Sequence, residues 1–252
     1  MLDQKPRYTF RPNPQLSANQ IADYLTASST RRKAIIVGAK FPKTSIIAQY
    51  DGARTGITRF LNDGTRSYRH ITDAVEGQTR RMARGDATDW IKRDSNASIE
   101  AIEAFQSNYN KSGLAKLDCR EITGRQPLLD QWPTKISVNL DLSVHKPSRT
   151  EKDKVGGIIL VFAKGEDKDN RRHERLKTVA NLVYVFCSRF LNHHGDADKK
   201  LCFAVDVFAK KMVQPTGEFL RGMKLIAESC EEIADRWAAI SPPDDYDGPD
   251  WA

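Results

Sequence analysis

The sequence predicts an α+β fold, a basic and mostly helical N-terminal subdomain followed by a mixed β-sheet flanked by helices. Three observations carry this expectation. Apolar residues keep a helical period through much of residues 17–113, the pattern changes to alternation after Gly113, and two strongly apolar strand-like segments then frame a long helix. A chain of 252 residues can form one elaborated domain or two modest ones. Apolar residues at 39%, charged residues at 29% and a mean hydropathy of −0.58 exclude fibrous, collagen-like and wholly disordered classes.

Residues 1–16 carry three prolines among several charges and read as an extended arm. Ser17 and Gln20 have capping-box spacing, and Ile21, Tyr24 and Leu25 follow at helical intervals. Ser28-Ser29-Thr30 gives a second start signal for a helix that stops near Gly38 and Pro42. From Thr44 to Leu61 the apolar positions Ile46, Ile47, Tyr50, Ala53, Ile57 and Phe60 again keep a helical period, ended by Asn62-Asp63-Gly64. Two or three further helices fit between Ser67 and Tyr109, the last covering Ile99, Ile102 and Phe105.

After Gly113, Leu114 to Ile122 is a candidate strand. Ile136, Val138, Leu140, Leu142 and Val144 alternate with polar residues, which predicts one strand with a polar face. A charged loop then leads through Gly156-Gly157 into Ile158–Lys164, apolar on both faces and therefore central to the sheet. A helix to about Leu191 is apolar around most of its circumference, as a helix buried against a sheet should be. Leu201–Phe208 is a further strand interrupted by Asp206. Phe219, Met223, Ile226, Cys230, Ile233 and Trp237 then form a regular amphipathic stripe, suited to packing on the sheet or to a protein partner or homodimer seam along 219–237. Residues 241–252 carry four carboxylates, three prolines and no base, a composition expected to be disordered.

The formal net charge is +7, and all of it lies in the first half: residues 1–113 hold 18 Lys+Arg against 11 Asp+Glu, while residues 114–252 are balanced. Such asymmetry suits a nucleic-acid partner, because neutralised phosphates release condensed counterions. The expected carriers are Arg31, Arg32, Lys33, Arg66, Arg69, Arg80, Arg81, Arg84, Lys92 and Arg93. The alternative for each cluster is a solvated helix face. Cys119, Cys187, Cys202 and Cys230 show no zinc-ligand spacing and read as thiols, Cys187, Cys202 and Cys230 on apolar stripes, in a reducing compartment. His193-His194 follows a helix and precedes Gly195, a helix-ending context. No apolar run reaches the roughly 18 residues of a membrane span, and the first residues have no secretory pattern, so no membrane partner and a cytoplasmic location are expected.

From the helix around Ile99 to the last helix, the element order reads αβββαβα. Asp141 stands on the polar face of the second strand and Lys164 ends the third. This resembles the PD-(D/E)XK, restriction-endonuclease-like, nucleases over residues 98–238, and implies a nuclease-like core over 114–240. The resemblance implies a metal-dependent phosphodiesterase using Mg²⁺ or Mn²⁺, or an inactive relative of one. Asp141, Lys164 and Glu121 would be its catalytic residues. Phe162 occupies the place of the family's second carboxylate and cannot ligate a hard cation. A migrated carboxylate would then have to join Asp141, from Glu103, Glu121 or Asp206, so the implied metal set is Asp141, Glu121 and Asp206. A purely structural role is the alternative for the trio Asp141, Lys164 and Asp206, with Asp206 pairing with Lys164. The competing functions are a non-enzymatic adaptor or subunit of a larger complex, and a helix-turn-helix DNA-binding regulator reading through Arg31–Leu61.

Overall fold

The computed structural model describes residues 6–44, 49–149, 151–164, 170–215 and 217–251. Five helices precede the main sheet: α1 (Ala18–Thr26), α2 (Ser29–Lys40), α3 (Asp51–Asn62), α4 (Arg69–Ala83) and α5 (Asp89–Ser112). The capping box forms, with the Ser17 amide donating to Gln20 Oε1 at 2.8 Å and the Gln20 amide donating to Ser17 Oγ at 3.2 Å. The helix expected from Thr44 begins at Asp51; Ile46 and Ile47 lie outside the described residues.

The main sheet runs in the order β2 (Asp118–Glu121), β5 (Leu142–Lys146), β6 (Lys154–Val161), β7 (Asp196–Asp206), β8 (Lys211–Val213). Strands β2, β5 and β6 form an antiparallel meander, α6 (Arg171–Phe190) crosses to β7 parallel to β6, and β8 closes the far edge. The fold is thus α+β. As its two-sided apolar sequence requires, β6 is central and its residues Val155–Leu160 are buried. A smaller sheet sets β1 (Gln15–Ser17) parallel to β4 (Lys135–Ser137), which also pairs with β3 (Leu128–Leu129).

Each face of the main sheet has its own core. Ile21, Tyr24, Ile36, Leu182, Phe186, Ile226 and Trp237 gather on one face, bringing α1, α2, α6 and α7 (Phe219–Trp237) together with the small sheet. Ala53, Ile57, Phe60, Ile102 and Phe105 gather on the other with Leu142, Ile158 and Phe203, so α3 and α5 cover that face, joined by α4 through Ile71. The change of pattern at Gly113 is therefore a change of element type and not a break in the core. Helices from the basic half lie on both faces of the sheet.

Three expectations need correction. The single strand over 136–144 is two: Ile136, Val138 and Leu140 belong to one core, Leu142 and Val144 to the other. The chain bends between them because Gln126 holds Leu140 at both backbone groups, donating to its carbonyl at 2.8 Å and accepting from its amide at 2.9 Å. Gly156 and Gly157 lie inside β6, not in a preceding loop. The acidic tail is docked: Arg7 pairs with Asp245 and Asp247, and the rings of Tyr246 and Trp251 lie 5.1 and 6.1 Å from that of Phe41. Two aromatic rings and a cationic arm offset what the tail's composition lacks. The apolar stripe of α7 is spent within the chain, with Ile226, Cys230, Ile233 and Trp237 buried. All four cysteines are free and buried. Among the described residues, no helix is long and apolar enough to cross a membrane.

Candidate functional site

Asp141 stands in the bend just before β5, its side chain 7% exposed. One oxygen accepts from Arg54 Nη1 of α3 at 2.5 Å, the other from the Leu160 amide of β6 at 2.6 Å. Burial pushes this carboxyl up from its ordinary range, while Arg54 and the Leu160 amide pull the other way. Phe162, just past β6, stacks on Tyr50 with centroids 5.3 Å apart and planes 11° apart, and the Arg54 guanidinium sits 5.0 Å from its ring centroid. Lys164 does not reach Asp141. It pairs with Glu100 of α5 and lies 5.3 Å from the ring centre of Phe208, which Tyr50 meets edge-on.

The other expected carboxylates do not join this group. Asp206 is fully buried at the end of β7. It accepts from Arg172 Nε, from Arg172 Nη2 at 2.6 Å and from the Ala209 amide at 2.8 Å. Arg172 belongs to α6, so Asp206 addresses the face opposite α3 and α5, and its partner is Arg172 in place of the expected Lys164. Glu121 is exposed at the end of the edge strand β2, and Glu103 is exposed on α5. Among the described residues, no three His, Cys, Asp or Glu side chains are placed to hold a metal ion. The oxygen donors that Mg²⁺ or Mn²⁺ would need are spent on two arginines on opposite faces of the sheet, and the expected metal set does not fit the ion.

The ten basic residues also fall into separate groups. Arg31, Arg32 and Lys33 lie on α2, while the other seven lie between Arg66 and Arg93 on the α3–α5 face. Arg66 is structural: it donates to the carbonyls of Leu61, Asp63 and Leu117, closing the C-terminus of α3. Arg32 donates to the Tyr24 carbonyl at 3.1 Å and pairs with Glu232 at 3.4 Å. Arg81 pairs with buried Asp94 at 2.8 Å and lies 5.6 Å from the Trp90 ring centre. Arg69, Arg80 and Arg84 make exposed local pairs with Asp73, Glu76 and Asp86; such pairs are weak and exchangeable. Lys92 and Arg93 are exposed.

The turn between α4 and α5 therefore concentrates cations, and a cavity of about 390 Å³ opens beside it. Gln49, Tyr50, Trp90, Arg93, Asp94 and Ala97 line it. Asp94 organises its wall by accepting from the Tyr50 amide at 3.0 Å as well as from Arg81. Tyr50 takes a left-handed backbone (φ 63°) at the start of α3, and the residue both lines this cavity and stacks its ring on Phe162. No protein-family model and no curated protein matches the chain. Sequence reasoning missed Arg54, Tyr50, Trp90 and Glu100. The available signal was Trp90 set among Arg81, Arg84, Lys92 and Arg93, an aromatic interleaved with cations.

Proposed function

We propose that the protein binds nucleic acid through the α4–α5 turn and the Tyr50–Trp90 cleft, on a nuclease-like core whose hydrolytic position is filled in. The order β2-β5-β6-α6-β7 is compatible with such a core. The observation that carries the reading is Arg54 seated on Asp141 beneath the Phe162–Tyr50 stack, where the resemblance would put metal-binding carboxylates. An arginine in that place takes up the Asp141 carboxylate in an ion pair, where a metal ion would otherwise need it. The adjoining cleft offers aromatic faces to bases and Arg93 to phosphate, the combination that single strands favour.

The test is fluorescence anisotropy of a labelled single-stranded oligonucleotide across a salt series, with and without Mg²⁺. Binding should fall steeply with salt and be indifferent to the cation, and Trp90→Ala should weaken it about tenfold, near 1.4 kcal/mol, within the range for one stacked base. Absence of salt-sensitive binding would overturn the binding reading. Mg²⁺- or Mn²⁺-dependent cleavage lost in Asp141→Ala would overturn the filled-in site and restore the phosphodiesterase.

A further inference from the structure

A second cavity, of about 320 Å³, lies between α6, α7 and the end of α1. Asn181 lines it from the middle of α6, on the helix face it shares with Glu174, Lys177 and Thr178, with the buried Ala180 and Leu182 flanking it in sequence. It is 3% exposed, and its Oδ1 has no hydrogen-bond partner among the described residues. Gly222 of α7 stands opposite, where a Cβ would come within 2.5 Å of Asn181 Nδ2. Each feature alone costs stability: a buried amide atom loses water without gaining a partner, and a glycine inside a helix adds unfolded-state entropy. An apolar residue at 181 would remove the first cost. The two meet at one cavity, and together they leave a hydrogen-bonding group and the space beside it.

Charge narrows what fills that space. Glu174 and Lys177 pair at 2.8 Å on α6, and Glu218, just before α7, pairs with Arg221 of α7 at 3.9 Å. The cavity thus presents two anions and two cations, a balance that matches neither a phosphate nor a polyamine. Leu25 and Leu225 supply an apolar wall. An amide that can donate and accept suits a ligand carrying both kinds of group. The volume sits at the small end of ligand cavities, roughly 300 to 1,000 Å³.

We propose that this cavity binds a free α-amino acid with an apolar side chain. Its carboxylate meets Lys177 and Arg221, its ammonium meets the glutamates and the Asn181 amide, and its side chain lies on the two leucines. The proposal is independent of nucleic-acid binding. Titrating L-leucine into the full chain by calorimetry should give saturable binding of one ligand per chain. The amine-free analogue 4-methylpentanoate and the carboxylate-free analogue 3-methylbutylamine should each bind about tenfold or more weakly. Arg221→Gln, on the surface, should weaken leucine similarly with an unchanged urea midpoint, and Asn181→Leu should abolish binding. No saturable heat with leucine, or leucine binding unaltered by Arg221→Gln, would overturn the proposal.

Discussion

Asp141 keeps a carboxylate in a place only 7% exposed, so its cost rests on the 2.5 Å contact with Arg54. Arg54→Ala would leave that charge buried. Breaking a buried pair costs about 3–5 kcal/mol, and with Arg54 36% exposed water can enter, so the loss should be about 2–3 kcal/mol at neutral pH, read by urea unfolding. Asp141→Asn should cost less, because the amide oxygen still accepts from Leu160 and the freed guanidinium can reach water. The pH dependence follows from the raised carboxyl. Its native state binds the proton more tightly than the unfolded chain, so its contribution to stability falls as pH climbs above the ordinary 3.8. Removing Arg54 raises the carboxyl further, and the variant's deficit should therefore shrink as pH falls from neutral towards the ordinary carboxylate range. A deficit that does not change with pH would mean Asp141 is not the group left stranded. Lys40 presents the converse case. It is 3% exposed, and its Nζ donates to the carbonyls of Trp237 at 2.8 Å and Ile240 at 2.9 Å, closing the end of α7. Burial pulls this ammonium down, yet Lys40→Met should still cost about 2–3 kcal/mol in urea unfolding, since buried carbonyls lose a charged donor.

At the level of elements, β6 illustrates what periodicity reveals and what it hides. Its apolar run identified a central strand, because only burial on both faces tolerates such a sequence. The glycines before it read as a loop, since their requirement comes from residues distant in sequence, Leu201 of β7 for Gly156 and Leu140 for Gly157. A Cβ on Gly156 would strike the Leu201 backbone at the register shift between Val155 and Gly157, and one on Gly157 would lie 2.7 Å from Leu140 Cδ1. Gly156→Ala should therefore cost about 3 kcal/mol or more, since backbone cannot move aside as a side chain can. Gly38 in α2 has nothing within 4 Å of its Cβ position, so Gly38→Ala should gain about 0.5–1 kcal/mol. Opposite shifts of the urea midpoint for the two alanines are the expected result. The same limit explains residues 136–144. Alternation reports sides of a local plane, and the bend at Asp141 that sends Leu140 and Leu142 to different cores depends on Gln126, ten or more residues earlier. Arg54 was illegible for a similar reason: its partner is 87 positions away and its spacing within α3 resembles that of any solvated arginine.

For the molecule as a whole, the excess charge visible in the first 113 residues does not map onto one surface. Folding sends α2 to one face of the sheet and α3–α5 to the other, so Arg31 and Lys33 cannot share a groove with Lys92 and Arg93. Pairing thins both groups further, Arg32 of α2 being held by Glu232, Arg66 by backbone carbonyls and Arg81 by Asp94. What survives is a compact patch around Trp90, with exposed Lys92 and Arg93 beside the ion-paired but exchangeable Arg80 and Arg84. This sharpens the nucleic-acid reading into a choice between patches. If the α4–α5 turn carries the phosphates, the double substitution Lys92→Ala with Arg93→Ala should lower the slope of log affinity against log salt by about 1.4, near 0.7 per single-strand phosphate contact. The matching change of Arg31 and Lys33 should leave the slope unaltered. A binding surface on α2 would invert that pattern, and equal losses from both pairs would mean that net charge alone attracts the strand.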